Sequence, residues 1–259
     1  LKLYNLKKSE LVNFCTAIGI DTKGKSKEIL LEEAEIFGAQ EIEDAKKNGT
    51  DYEMLYSKIE ELSDLYTKTL SIKIEERKKE MLEDDNSHYL IYRVLGISNK
   101  DGQLIDEYQN AGRFLYKYAG SFLEEAAILC FRFNNLKGKR TLIKNNISSK
   151  PKTFEIDFLD RNNAIEIKWK DATTDGDHIS KEHTRVECIT NHKYLPIRVM
   201  FYYPQRSSAC KIQKVLAGYY KSVKGQYYAG DEAWNFVKNY TSYDLLKILT
   251  DIADKKEIK

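Results

Sequence analysis

Asp157, Glu166 and Lys168 stand close together in Phe154-Glu-Ile-Asp-Phe-Leu-Asp-Arg-Asn-Asn-Ala-Ile-Glu-Ile-Lys-Trp-Lys170. Two carboxylates held near one another repel, and a cation relieves the repulsion. Asp and Glu oxygens suit a hard ion such as Mg²⁺, which keeps several waters and also takes phosphate oxygens. Such an ion polarises a phosphodiester and acidifies a bound water. A lysine beside it can orient that water and offset the charge that develops on phosphorus. The same residue types also admit a plainer role, as cross-strand salt pairs on a half-exposed sheet face.

Whether these side chains meet depends on the strands that carry them. Residues 153–159 and 164–170 both alternate in polarity, and Asp160-Arg-Asn-Asn163 between them is rich in turn formers, the pattern of a β-hairpin. Since side chains alternate faces along a strand, Glu166, Lys168 and Lys170 are expected on one face and Ile165, Ile167 and Trp169 on the other. In the first strand Glu155 and Asp157 are expected opposite Phe154, Ile156 and Phe158. Closing the hairpin brings Asp157 beside Glu166 and Lys168, with an apolar layer behind.

Elements on either side of the hairpin supply further polar groups. Residues 108–133 read as a helix with Leu115, Tyr118, Ala119, Phe122, Ala126, Leu129 and Phe133 on one stripe, and they carry Glu124 and Glu125. Downstream, Asp171-Ala-Thr-Thr-Asp-Gly-Asp-His178 is dense in hydrogen-bonding groups. Thr173, Thr174, Asp175, His178, Lys181, His183 and Arg185 are candidate DNA contacts. Arg and Lys suit guanine edges, Asp can accept from cytosine, and Thr serves either; the cations serve phosphates equally well. Arg113 is a further candidate, with Gln109, Asn110, Arg206 and the lysines of 137–150 as weaker ones. His178, His183 and Cys188, spaced by five, fit no common zinc pattern.

The first 86 residues read as helix, with Leu11, Phe14, Cys15 and Ile18 in one segment that stops at Gly19. A second segment runs from the N-cap candidate Ser26 to Gly38. A third, over 51–82, puts Leu55, Ile59, Leu62, Leu65 and Tyr66 on one side, a packing or dimer surface. Asp84-Asp85-Asn86 is a polar break, 89–96 is a short apolar run, and 99–106 is turn-like. Residues 195–203 form an uninterrupted β-rich run that Pro204 ends. Helices are expected at 207–221, 231–239 and from 243 onward, and Tyr227-Tyr228 as a short strand. The sum is an α/β (α+β) sandwich with a mixed central sheet flanked by helices. A helical N-terminal region, 1–86, precedes a core over 87–259.

Bulk composition narrows the setting. The 259 residues carry 42 Lys and Arg against 40 Asp and Glu, so net charge gives no sign of a generally basic nucleic-acid binder. Acidic metal ligands inside a basic groove average to the same balance. No run approaches the ~20 apolar residues of a membrane span, and no signal-peptide pattern opens the sequence, so a cytoplasmic location is expected. The four cysteines, at 15, 130, 188 and 210, are far apart and expected as free thiols.

At the hairpin the chain resembles a known family. Asp157, Glu166, Ile167 and Lys168 match the D…(D/E)-x-K pattern of the PD-(D/E)XK nuclease superfamily, with Ile156 where that pattern has proline. More narrowly, the chain resembles the ApaLI family of Type II restriction endonucleases. The resembling stretches are Asp84-Asp-Asn-Ser-His-Tyr-Leu-Ile-Tyr-Arg-Val-Leu-Gly96, Gly112-Arg-Phe-Leu-Tyr-Lys-Tyr-Ala-Gly-Ser-Phe-Leu-Glu124, residues 166–185, and Tyr228-Ala-Gly-Asp-Glu-Ala-Trp234. The first 50 residues add nothing to the likeness.

The resemblance implies a restriction-endonuclease-like fold and Mg²⁺-dependent hydrolysis of both strands of double-stranded DNA at a short palindromic site. It also implies a homodimer working beside a DNA methyltransferase that protects the host; the family's namesake reads GTGCAC. Under it, Asp157 and Glu166 bind metal and Lys168 assists the nucleophilic water. An acid on the preceding helix completes the site. The Gly120-x-x-x-Glu124 spacing favours Glu124, with Glu125 nearer the apolar stripe. Two other functions use the same residues: a structure-selective repair or junction nuclease, which would ignore plain plasmid, and a non-catalytic DNA-binding regulator, which would never cut.

Overall fold

The computed structural model describes residues 7–17, 19–170 and 176–257; the side chains of 176–178 lie outside the description. Five helices come first: α1 (Lys8–Ala17), α2 (Lys27–Asn48), α3 (Asp51–Glu83), α4 (Tyr89–Val94) and α5 (Asn99–Asn134). Then follow β1 (Lys139–Lys144), β2 (Thr153–Asp160), β3 (Asn163–Lys168), α6 (Gly176–Asn191), β4 (Leu195–Met200), α7 (Ser207–Ser222), β5 (Gln226–Ala229), α8 (Asp231–Thr241) and α9 (Leu245–Glu257). No helix among the described residues is long and apolar enough to cross a membrane.

Helix ends explain most departures from the expected elements. Ser26 caps α2 through its hydroxyl, which accepts the Ile29 amide at 3.3 Å, but Gly38 does not stop the helix. It runs on to Gly49, whose left-handed φ of +68° closes it. The supposed turn at 99–106 is the start of α5. Ser98 accepts the Asp101 amide at 3.1 Å, and this cap, with an acid in the first turn, outweighs the turn-like composition. The apolar run at 89–96 is the short helix α4. Two elements had no counterpart in the sequence reading: the lysine-bearing edge strand β1, and α6, which crosses from β3 to β4.

The described strands form one mixed sheet in the order β1-β2-β3-β4-β5. β1, β2 and β3 run antiparallel in turn, and β3, β4 and β5 are parallel. One face is covered by α5, α8, α9 and the first half of α3, in a core that joins Leu55, Ile59, Phe131, Ile165, Ile167, Val199 and Val237. On the other face Cys188 and Ile189 of α6 pack on Phe154, Ile156 and Ala164.

Phe158 does not share the face of Phe154 and Ile156, as strict alternation required. The β1–β2 register slips by one residue between Lys139 and Thr141, a bulge that swaps the parity of β2. The Phe158 ring therefore stacks on Phe131 of α5 at 5.5 Å. Any side chain at Gly138 would overlap that ring, which accounts for the glycine. Lys170 also departs from expectation. β3 ends at Lys168, and the Lys170 ammonium lies 3.4 Å from the Tyr116 hydroxyl of α5, away from Glu166.

Candidate active site

The site forms where β2 and β3 part. Their ladder ends with the pair Phe158 and Ile165. Beyond it the Asp157 side chain takes the place of a strand carbonyl: its Oδ2 accepts the Ile167 amide at 2.8 Å. That bond pins the carboxylate against the middle of β3, where Asp157 and Glu166 are only 6% and 2% exposed. The Lys168 ammonium bridges them, 2.5 Å from Glu166 Oε1 and 3.7 Å from Asp157 Oδ2. It also donates to the Ile167 carbonyl at 3.0 Å.

Charges of alternating sign continue outward in both directions. On the α5 side Arg140 of β1 lies 2.6 Å from Glu124, 2.8 Å from Glu125, 3.0 Å from Glu155 and 3.7 Å from Asp157. On the other side Arg185 of α6 is ion-paired with Glu166 and lies 3.8 Å from Glu182. Glu182 in turn pairs with Arg198 of β4 at 2.7 Å and accepts the Tyr220 hydroxyl at 2.9 Å. Glu166 and Arg198 are register partners on adjacent strands, so the sheet itself sets this line. A buried charge stripped of its partner costs several kcal/mol, and each ion in the line is set beside at least one of opposite sign.

Burial shapes the ionisation of Arg185 and Tyr220. It holds the Arg185 guanidinium below its ordinary value. Burial, and then the Glu182 carboxylate, push the Tyr220 phenol far up, so it stays a donor at any working pH. Tyr66, beside the α5 acids, is pushed up to about 12 by burial and then by Glu125 and Glu124.

Among the described residues the line holds six carboxylates (Glu124, Glu125, Glu155, Asp157, Glu166, Glu182) and four cations (Arg140, Lys168, Arg185, Arg198). The excess of two negative charges equals the charge of one divalent ion. Glu166 Oε2 is buried and finds no hydrogen-bond partner among the described residues, and Asp157 Oδ1 meets Arg140 at 3.7 Å. These hard oxygens fit Mg²⁺. No group of three His, Cys, Asp or Glu among the described residues could hold a metal alone. The donor set is thus of the two-carboxylate kind, in which water and phosphate fill the remaining positions.

The structure brings Asp157, Glu166 and Lys168 together, and it gathers Glu124 and Glu125 alike through Arg140. Thr173, Thr174 and Asp175 lie outside the described residues, as does the side chain of His178. Lys181 is exposed on α6, in a shallow notch with Lys150, Pro151, Ser180 and Thr184. His183 packs edge-on against Tyr219, with ring centres 4.4 Å apart. Arg185 points inward to Glu166, and Arg113 is exposed on the first half of α5. Arg140, Glu182, Arg198 and Tyr220 escaped the sequence reading. Arg198 carried a usable sign: a cation inside the apolar run Leu195-Pro-Ile-Arg-Val-Met200 must have a buried partner.

The family model of the ApaLI-like restriction endonucleases matches residues 32–254 of the chain. Neither the curated proteins nor the solved structures give a match to it.

Proposed function

Because the chain belongs to the ApaLI-like restriction endonuclease family, and is thereby a site-specific deoxyribonuclease, we propose that Asp157, Glu166 and Lys168 cut both strands of double-stranded DNA at a short palindromic site. The observation that carries this is the buried Oε2 of Glu166, which meets no donor among the described residues, set beside Asp157 with Lys168 between them. Asp157 and Glu166 would hold Mg²⁺, which when bound supplies a Lewis acid at the phosphodiester and a more acidic water. Lys168 orients the attacking water and offsets charge on the phosphorane-like transition state. Glu124 completes the site, positioned with Glu125 by Arg140. Arg185 holds Glu166 in place from behind through their ion pair.

Thr173, Thr174, Asp175, His178, Lys181 and His183 contact the duplex, with Arg113 as a second approach. A palindromic duplex is matched by a two-fold protein, so the working unit is a homodimer in which each copy cuts one strand. Residues 1–86 serve dimerisation or clamping, and 87–259 the chemistry. A methyltransferase that modifies the same site in the cytoplasm protects host DNA.

Digesting a sequenced plasmid with Mg²⁺ and sequencing the fragment ends tests this. The expected result is discrete fragments whose ends share one palindrome, GTGCAC being the first to compare, and complete loss of cutting on chelation. Random ends, or no cutting in either Mg²⁺ or Mn²⁺, would overturn it.

A further inference from the structure

Two long helices share the sheet's core over only half their length. The buried residues of α3 are Leu55, Ile59 and Leu62; those of α5, apart from Gly102, begin at Leu123. Residues 66–120, with α4 at the far end, therefore form an antiparallel arm. Near the core Tyr66 meets Phe122 edge-on at 5.9 Å, and farther out Arg77 Nε donates to Asn110 Oδ1 at 3.4 Å. At 1.5 Å per residue the free half of α5 reaches about 30 Å.

Among the described residues of this arm, Tyr89 and Gly102 alone are buried. Its surface is nevertheless apolar at the tip. Leu90, Ile91, Val94 and Leu95 on and just after α4, and Ile105 and Tyr108 on α5, are exposed, Val94 and Tyr108 at 74% each. The tip is firmly built. The Tyr92 ring lies so close to Gly102 that an added Cβ would come within 2.6 Å of it, and the Tyr92 hydroxyl donates to Asp106 at 3.0 Å. These contacts fix α4 on α5 with its apolar side chains turned outward.

Six large apolar side chains exposed within one short segment are of the kind that a partner surface covers. Duplex DNA is a poor occupant. Between residues 66 and 120, nine Lys and Arg face nine Asp and Glu, whereas phosphate-binding surfaces need a basic excess. A second copy of the chain is a good one. Each chain offers one catalytic hairpin among its described residues, and cutting two strands takes two. An isologous contact sets a surface against itself, and a neutral apolar surface does so without like-charge repulsion.

We infer that α4 and the adjoining half of α5 form the interface between two copies of this chain. The inference rests on the two-fold reading of cleavage above and adds where the copies meet, placing the dimer contact on α4 and α5 and leaving clamping to residues 1–86. The test is sedimentation equilibrium of the whole protein at micromolar concentration, with and without plasmid DNA, for wild type, Val94→Glu, Tyr108→Lys and the control Val215→Lys, an exposed position on α7. Wild type and control should have the mass of two chains, and both arm variants that of one, with helical circular dichroism unchanged. Plasmid digestion by the arm variants should shift from linear product to nicked circle. If both arm variants keep the two-chain mass, the arm is not the interface, although the dimer stands; weaker DNA binding in such variants would make the arm a clamp. If wild type has the mass of one chain with and without DNA, the two-fold reading fails and this inference fails with it. Should one variant lose its helical signal, the other decides.

Discussion

On one face of β3, Ile165 and Ile167 lie in a core with Phe131 and Val199; on the other, Glu166 and Lys168 lie in a line of alternating charge that runs from Glu124 to Arg198. The apolar face is held by area removed from water, a non-directional force that tolerates one lost side chain at a cost in stability. The charged face is held by partners. Each ion there leans on a neighbour of opposite sign, so a single truncation strands the next. The fold's stability and the site's chemistry are thus separated by one strand's alternation. Substitutions on the two faces should fail in different ways.

The largest effect is expected from Lys168→Ala and Glu166→Gln. The glutamine keeps an oxygen toward Arg185, so the charge line loses one charge without losing its shape. Plasmid cleavage should fall by about 10²–10³-fold or more, with the melting temperature little changed. Near-wild-type cutting by either variant would remove the hairpin from the mechanism and collapse the contrast between the faces.

Arg140→Ala comes next and should blur the contrast, because Arg140 is both structure and site. It leaves Glu124, Glu125, Glu155 and Asp157 facing one another without their shared cation. Cleavage should drop about 10–100-fold, as for other residues that orient metal ligands, and unfolding free energy should fall by about 3 kcal/mol. Arg140→Lys should recover part of both, since a lysine restores charge but cannot fork between two helix acids and two strand acids. A stable, fully active Arg140→Ala protein would show that the α5 acids lie outside the site.

Ile165→Ala sharpens the comparison from the apolar side. Ile165 is fully buried against Phe158 and the α5 core. Denaturant titration should show a loss of about 2–5 kcal/mol, while the activity of the folded fraction stays within about twofold. An activity loss as deep as that of Lys168→Ala, without a stability loss, would mean that the two faces are not separable.

What the sequence disclosed follows the same division. The hairpin was legible because alternation and the turn residues Asp160-Arg-Asn-Asn163 agree, and alternation correctly paired Glu166 with Lys168. The swapped parity of Phe158 was not legible, because a bulge leaves no mark in residue type. Nor was β1, an exposed edge strand whose lysines, a usual guard on such edges, read only as weak candidate DNA contacts. Missing β1 hid Arg140, and with it the link that joins Glu124 and Glu125 to Asp157. In α6 the polar opening masked a helix whose later residues Val186, Cys188 and Ile189 are buried, and so Glu182 was missed and Arg185 was read as a DNA contact.

The smallest effect, and the finest test, lies at the outer end of the charged face. Lys181 is exposed on α6 near Lys150, and Lys144 is exposed on the edge strand β1. Both are free to reach DNA, whereas Arg185, one turn further along α6 from Lys181, is turned in toward Glu166. If Lys181 touches a base edge, Lys181→Ala should lose discrimination against a single mismatch by about 1–3 kcal/mol, roughly tenfold to a hundredfold. Lys144→Ala should instead weaken binding evenly across sequences and flatten the salt dependence by about one unit of slope, as loss of a phosphate contact does. Arg185→Ala should do neither; its cost should appear in cleavage, through a Glu166 left without its partner. Titration of the three variants in Ca²⁺ against cognate and mismatched duplexes, at several salt concentrations, separates these outcomes. An unchanged cognate-to-mismatch ratio for Lys181→Ala would move base reading off the exposed face of α6. A changed ratio for Arg185→Ala would mean that this guanidinium leaves Glu166 for the duplex, so that DNA binding itself opens the charge line at Glu166.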